Sequence, residues 1–329
     1  MRSTLIALLL FLAACGEQPS TQPAASGPSA ASPGDGVAVV LTGVPVVAED
    51  RTVEWCSPVI AEEGADQGAH GANVSDAAGH NNCPGIGIPI AGLANSTIDA
   101  FDQPLAWRIE GIYDGMTVRA TSEPKPVKPA EYADIDLTTP CTDLRRPSSS
   151  ATEEAHPLQI DPAVRNAVNR YLATIPDRYA AQWWDGANSV LNFLLTGNDV
   201  TAHRAALEEA VGTRAGVCVV GGAHWSYNEL RRAQQRASVI TYQEGMGLIS
   251  NGKNSIANRV ELDVHCSDEA TVNRIHREAG NAVHVRSFLA VRNGTLDDVR
   301  ARAPTSELAA RCARTPNPIR ASEPGASAT

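Results

Sequence analysis

Seven cysteines constrain this chain more than any other feature, because the first closes an export leader and the remaining six then face an oxidising compartment. The leader is a basic Arg2, an apolar run from Leu5 to Leu12, and small residues ending at Cys15. Its apolar core is about half of the ~20 residues a bilayer-spanning helix needs, so it reads as a removed signal rather than a membrane span. Cys56, Cys83, Cys141, Cys218, Cys266 and Cys312 are left, an even set for which disulfides are the default. Cys56 with Cys83 is the natural local pair. Cys218 and Cys266, both in expected strands, are the second choice, and Cys141 with Cys312 follows by elimination. A zinc site would need a C-x-x-C or H-x-x-x-H type cluster, and the sequence has neither.

The residues Leu12-Ala13-Ala14-Cys15 resemble the lipobox of bacterial lipoproteins. The resemblance implies cleavage before Cys15, lipid on its sulfur, and a chain anchored on the extracytoplasmic side of a bacterial membrane by several acyl chains. The formal net charge of -10, from 37 acidic against 27 basic residues, argues against nucleic acid or anionic lipid as a partner, since both are held by clustered Lys and Arg.

Composition then divides the chain. Residues 1–14 are the signal and 15–36 a lipidated cysteine and a Pro, Ala, Ser and Gly tether, too poor in large apolar residues to offset ordering entropy. Residues 37–122 read as a small all-β domain. In Leu105 to Glu110 apolar and charged residues alternate, and Asp114-Gly115 predicts a type I′ hairpin before Met116, Val118 and Ala120. A Gly, Asn and His-rich insertion, 62–84, is too polar for core. Residues 123–156 are a Pro-rich, partly ordered linker, and 316–329 a disordered tail. Between them, 157–315 switch to an alternation of helices and strands. Helices are expected over 162–174 and 199–211, and again after Ser226-x-x-Glu229, a capping box followed by Leu230, Ala233, Ala237 and Ile240 on one face. In the strand Asn258 to Cys266, Val260, Leu262, Val264 and Cys266 face one way and Arg259, Glu261, Asp263 and His265 the other. The expected fold class is therefore α+β: a small N-terminal all-β domain followed by an α+β sandwich with one polar sheet face.

The order of Tyr179 to Asp185, Leu194 to Gly197, Val217 to Val220, Ser226 to Leu230 and Asn258 to Val264 resembles the prodomains of α-lytic-type serine proteases. It covers about residues 180–293. The resemblance implies a module whose sheet meets another protein as folding chaperone or inhibitor. Protease activity is not implied, because no Gly-Asp-Ser-Gly-Gly segment follows.

Candidate chemistry is thin. His70, His80 and Cys83 with Asp66 and Asp76 could furnish a metal site, though their spacing fits no zinc template. His203, His224, His265, His276 and His284 read as solvent-facing side chains. Ser226, near His224, is explained as a helix cap and lacks a nucleophile elbow. Gly221-Gly222 does not complete G-x-G-x-x-G and reads as a tight turn. Trp183 and Trp184 are adjacent in a strand and so point to opposite faces; one belongs to the core and the other is a candidate binding aromatic. The expectation is a non-enzymatic envelope lipoprotein that needs no cofactor and binds a secreted protease or other exported protein. The alternatives are a metal-assisted envelope hydrolase and a structural spacer.

Overall fold

The computed structural model describes residues 36–57, 83, 86–101, 106–127, 137–142, 144, 161–302 and 305–313. The chain begins with β1 (Val37–Val47), β2 (Val53–Cys56), β3 (Gly87–Ala91), the short helix α1 (Asn95–Ile98), β4 (Trp107–Tyr113), β5 (Val118–Ala120) and β6 (Lys125–Pro126). β1, β2, β3, β5 and β4 hydrogen-bond in that order, and β4 pairs back with β1 from Val37↔Tyr113 to Gly43↔Trp107. The first five strands therefore close into a barrel. Fold class alone carries no function. The β4–β5 connection is not the expected two-residue turn: Asp114 Oδ1 accepts from the backbone of Met116 (2.9 Å) and Thr117 (2.8 Å), closing a four-residue loop.

Two copies of one αββαβ unit follow. The first is α2 (Pro162–Leu172), β7 (Tyr179–Asp185), β8 (Val190–Thr196), α3 (Thr201–Val211) and β9 (Gly216–Ala223). The second is α4 (Tyr227–Glu244), β10 (Leu248–Asn254), β11 (Arg259–Ser267), α5 (Glu269–Ala279) and β12 (Val283–Asn293). In each, the first two strands pair antiparallel and the third joins the second in parallel through a helical crossover. The correspondence reaches individual residues. Asp185 Oδ1 accepts from Asn188 N and Asn254 Oδ1 from Ala257 N, and the turns end on Ser189 (φ 55°) and Asn258 (φ 52°). Leu207 and Ile275 are fully buried at matching helix positions, and α3 and α5 both stop at a positive-φ glycine, Gly212 and Gly280.

Local chemistry accounts for these helices. Asp161 caps α2 through Ala163 N (2.7 Å) with Pro162 at the first position, and Val164, Val168 and Leu172 fall one turn apart on its buried side. Ser226 and Glu229 form the reciprocal capping box of α4, which ends on Gly245 in the left-handed conformation. The last helices are α6 (Leu296–Arg302) and α7 (Glu307–Arg311).

The two copies differ in what they join. In the second, β12 pairs antiparallel with β1 (Val39↔Val291, Leu41↔Leu289), so β10, β11 and β12 extend the barrel into a nine-stranded sheet. One core runs from Val39, Leu41 and Trp55 inside the barrel to Leu230, Leu262 and Ile275 under α4 and α5. The first copy keeps a separate three-stranded sheet and a second core under α2 and α3. This overturns the expected fold class. The chain is not a small β domain followed by an α+β sandwich but a strand-rich mixed fold with a closed five-stranded barrel and, among the described residues, seven helices. The physical reason is that both edges of β1 are used, by β4 on one side and by β12 and then β2 on the other.

Three disulfides staple the fold: Cys56–Cys83, Cys141–Cys218 and Cys266–Cys312, with Cα separations of 5.4, 5.8 and 6.1 Å. The expected Cys218–Cys266 and Cys141–Cys312 pairs are thereby corrected. Cys218 lies on β9 in the three-stranded sheet and Cys266 on β11 in the nine-stranded one, so two strand cysteines that look alike in sequence belong to different sheets. The disulfides place the chain in an oxidising, extracytoplasmic compartment. No helix among the described residues is long and apolar enough to cross a membrane.

Candidate functional site

In both αββαβ copies the unit's own two helices cover one face of the sheet and leave the other free of them, although in the second copy α7 reaches that other face at the His265 end of β11. On the second copy, Val260, Leu262, Val264 and Cys266 of β11 point under the helices and are completely buried. The period of two sends Arg259, Glu261 and Asp263 to the opposite face. The parallel register sets His284 of β12 beside Glu261 and Arg286 beside Asp263, while β10 adds Gly252 beside Glu261 and Ser250 beside Asp263.

These side chains form one connected polar network. Arg286 grips Asp263 with two bonds, Nε to Oδ1 at 2.6 Å and Nη2 to Oδ2 at 3.0 Å, and reaches Glu261 Oε2 at 3.3 Å. Arg259 donates to Glu261 Oε1 from Nε (3.1 Å) and Nη2 (2.8 Å), Asn254 Nδ2 reaches the same oxygen at 3.1 Å, and Ser250 Oγ donates to Asp263 Oδ2 at 2.6 Å. Burial pushes the Glu261 carboxyl upward, but the hydrogen bonds from Arg259 and Asn254 and the charges of Arg286 and Arg259 outweigh it and hold the group below the usual range. His284 is shifted down, first by partial desolvation and then by Arg259 and Arg286. The face is thus a charged, internally balanced surface whose side chains are already oriented.

The sequence places Arg259, Glu261 and Asp263 on a polar face. The contribution of Arg286 and His284 depends on the parallel β11–β12 register, for which a strand read alone carries no signal. His265 departs from its expected exposure. Ser57 Oγ lies 3.4 Å from its Nδ1, and its backbone N donates to Gly247 O at 2.7 Å. Burial, then the charge of Arg311, drives its pKa down to about 4. His203 Nδ1 meets the Tyr171 hydroxyl at 2.7 Å, His276 Nε2 meets Val283 O at 3.1 Å, and His224 and His284 are exposed. Ser226 is buried in its cap. Gly221 and Gly222 lie inside β9 rather than in the expected tight turn, with Gly222 N donating to Gly197 O at 2.9 Å.

Trp183 and Trp184 do point apart. Trp184 packs against the core under α2 and α3, whereas Trp183, on the helix-free face of the first copy, donates from Nε1 to Leu137 O at 3.1 Å. That bond is part of a strap. Thr139 N donates to Asp185 Oδ2 at 2.8 Å and Cys141 is bonded to Cys218, so residues 137–141 run from β7 to β9 across the face. Asp185 is held at about pKa 2: burial opposes ionisation, but the bonds from Thr139 and Asn188 prevail.

Cys15, His70, His80, Asp66 and Asp76 lie outside the described residues, as does any metal site built on them. Among the described residues no three of His, Cys, Asp and Glu converge as metal ligands would. A cleft of about 290 Å³ between α4, α5 and α6 is lined by Arg274 and Arg300, but Glu244, Glu278, Asp297 and backbone carbonyls already occupy those guanidinium groups. Searches against protein-family models and against curated proteins find no match to this chain.

Proposed function

We propose that this chain is an extracytoplasmic lipoprotein, anchored through lipid on Cys15, that binds another exported protein without catalysis. The binding surface is the helix-free face carrying Arg259, Glu261, Asp263, His284 and Arg286. The observation that carries this reading is the preorganised network on that face: charged side chains fixed on β11 and β12, and braced by Ser250 and Asn254 of β10, lose little freedom when a partner arrives. The export leader and three disulfides support the compartment. The likeness to α-lytic-type prodomains, in which the sheet meets a protease, makes a secreted protease the first partner class to test, with an inhibitor-like or chaperone-like role.

The test is affinity capture of exported proteins by the full-length chain and by the charge-swapped pair Asp263→Arg/Arg286→Asp, which keeps an ion pair but inverts the pattern of the face. A captured protein that is lost on the swapped variant supports the reading, and equal capture by both counts against it. In the same cells, Cys15→Ser is expected to abolish labelling by radioactive palmitate and to move the chain out of the membrane fraction.

A further inference from the structure

The duplication supplies an internal comparison for the face just described. In the first copy the equivalent face is already occupied, and by an extended piece of polypeptide. Residues 137–141 cross β7, β8 and β9 and are held largely through main-chain atoms: the Leu137 carbonyl by Trp183, the Thr139 amide by Asp185, and the Cys141–Cys218 bond at the far strand. Val190 and Asn192 on β8, between the two ends of the strap, are fully buried. Their counterparts on β11 are Arg259 and Glu261, whose side chains remain 36% and 20% exposed, and the Cys218 position is taken by exposed His284.

Where Trp183 stands in the first copy, the second has Gly252. A Cβ built on Gly252 would meet no atom of the described residues within 4 Å, and its φ is ordinary for any residue, so a side chain can start there without a clash. Around that position stand groups suited to a peptide main chain, which alternates one donor with one acceptor. Arg259 uses only Nε and Nη2 on Glu261 in the hydrogen bonds described, and the ring nitrogens of His284 have no hydrogen-bond partner among the described residues. Arg259 can donate to a carbonyl, and His284 can donate or accept.

We propose that the helix-free face of the second copy binds an extended segment of an exported polypeptide, laid across β10, β11 and β12 and held through its main chain, as the first copy holds residues 137–141. The proposal rests on the protein-binding reading and adds the conformation of the partner: an unfolded or extended segment rather than a folded surface. The strap is then the first copy's permanent occupant, locked by Cys141–Cys218, and the second copy's face is left for a segment from another chain.

Gly252→Trp tests this directly, because it puts a bulky ring on the face at a position where an added Cβ meets no described neighbour. The probe is reduced, carboxymethylated lactalbumin, which cannot fold, compared with the same protein in its native state. Ala205→Trp, on an exposed position of α3, is the control. The full-length protein is expected to bind the unfolded probe and not the native one. Gly252→Trp should weaken binding by about tenfold or more with an unchanged Tm, and Ala205→Trp should bind as the unaltered chain does. Equal binding by Gly252→Trp, or preference for the native probe, overturns the proposal. If the unfolded probe does not bind while a captured partner is still lost on Asp263→Arg/Arg286→Asp, the extended-segment proposal fails and the protein-binding reading survives. Loss of both results removes both.

Discussion

His265 shows how far a single side chain can depart from its sequence pattern. Alternation along β11 points it to the polar face with Glu261 and Asp263, and so it is, but Ser57 at the end of β2, the turn at Gly247, and Arg311 with Glu307 on α7 close around it. Its pKa falls from the ordinary 6.5 to about 4, with burial the larger cause, Arg311 adding to it and Glu307 opposing. The folded state therefore takes up a proton less readily than the unfolded chain. This contribution to stability is fully present above about pH 6.5 and is lost as pH falls from there through about 4. His265→Phe is expected to flatten the dependence of unfolding free energy on pH between neutrality and pH 4, measured by denaturant titration. An unchanged slope would show that His265 does not govern it. The neighbours that matter here come from elements distant in sequence, which is why no pattern within β11 reveals them.

At the scale of elements, the legible signals were those whose cause is local. The Ser226 and Glu229 capping box, Pro162 behind Asp161, and the buried stripe on α4 are set by residues within a turn or two of one another. Strand partnership is not local. β1 gives Ala38 to Leu41 to β12 and Val44 to Val47 to β2 along the same edge, and Gly43 lies at the changeover. A Cβ at Gly43 would run into the Cys56 carbonyl oxygen, with the Trp55 and Phe288 rings at 3.1 Å, so Gly43→Ala is expected to cost about 1–3 kcal/mol in unfolding free energy. The strap offers a second check. Cys141→Ser/Cys218→Ser should cost about 2–4 kcal/mol and speed amide hydrogen exchange at Val190 and Asn192, which it covers. Unchanged exchange there would mean that the strap stays in place without its covalent bond.

At the scale of the molecule, the barrel and the second αββαβ copy share a sheet and a core, while the first copy has its own. Their stabilities should be coupled accordingly. Leu41→Ala inside the barrel is expected to cost about 2–5 kcal/mol and to reduce exchange protection in α5 as well as in β1 and β4. Leu207→Ala, in the other core, should leave α5 protected. If Leu41→Ala left α5 untouched, the shared core would not be a single cooperative unit.

The sequence by itself determined a set of cysteines suited to disulfides, the helices with their caps, and the alternation that makes β11 polar on one side and buried on the other. Each of these is encoded within a few residues by polarity, spacing or capping chemistry. Only the tertiary structure decided that five strands close into a barrel, that β12 adds to β1, that the αββαβ unit occurs twice, and which cysteines meet. Those outcomes depend on backbone hydrogen bonds between strands far apart in the chain. Such bonds are made by main-chain groups that every residue but proline shares, and so they leave little mark on the sequence.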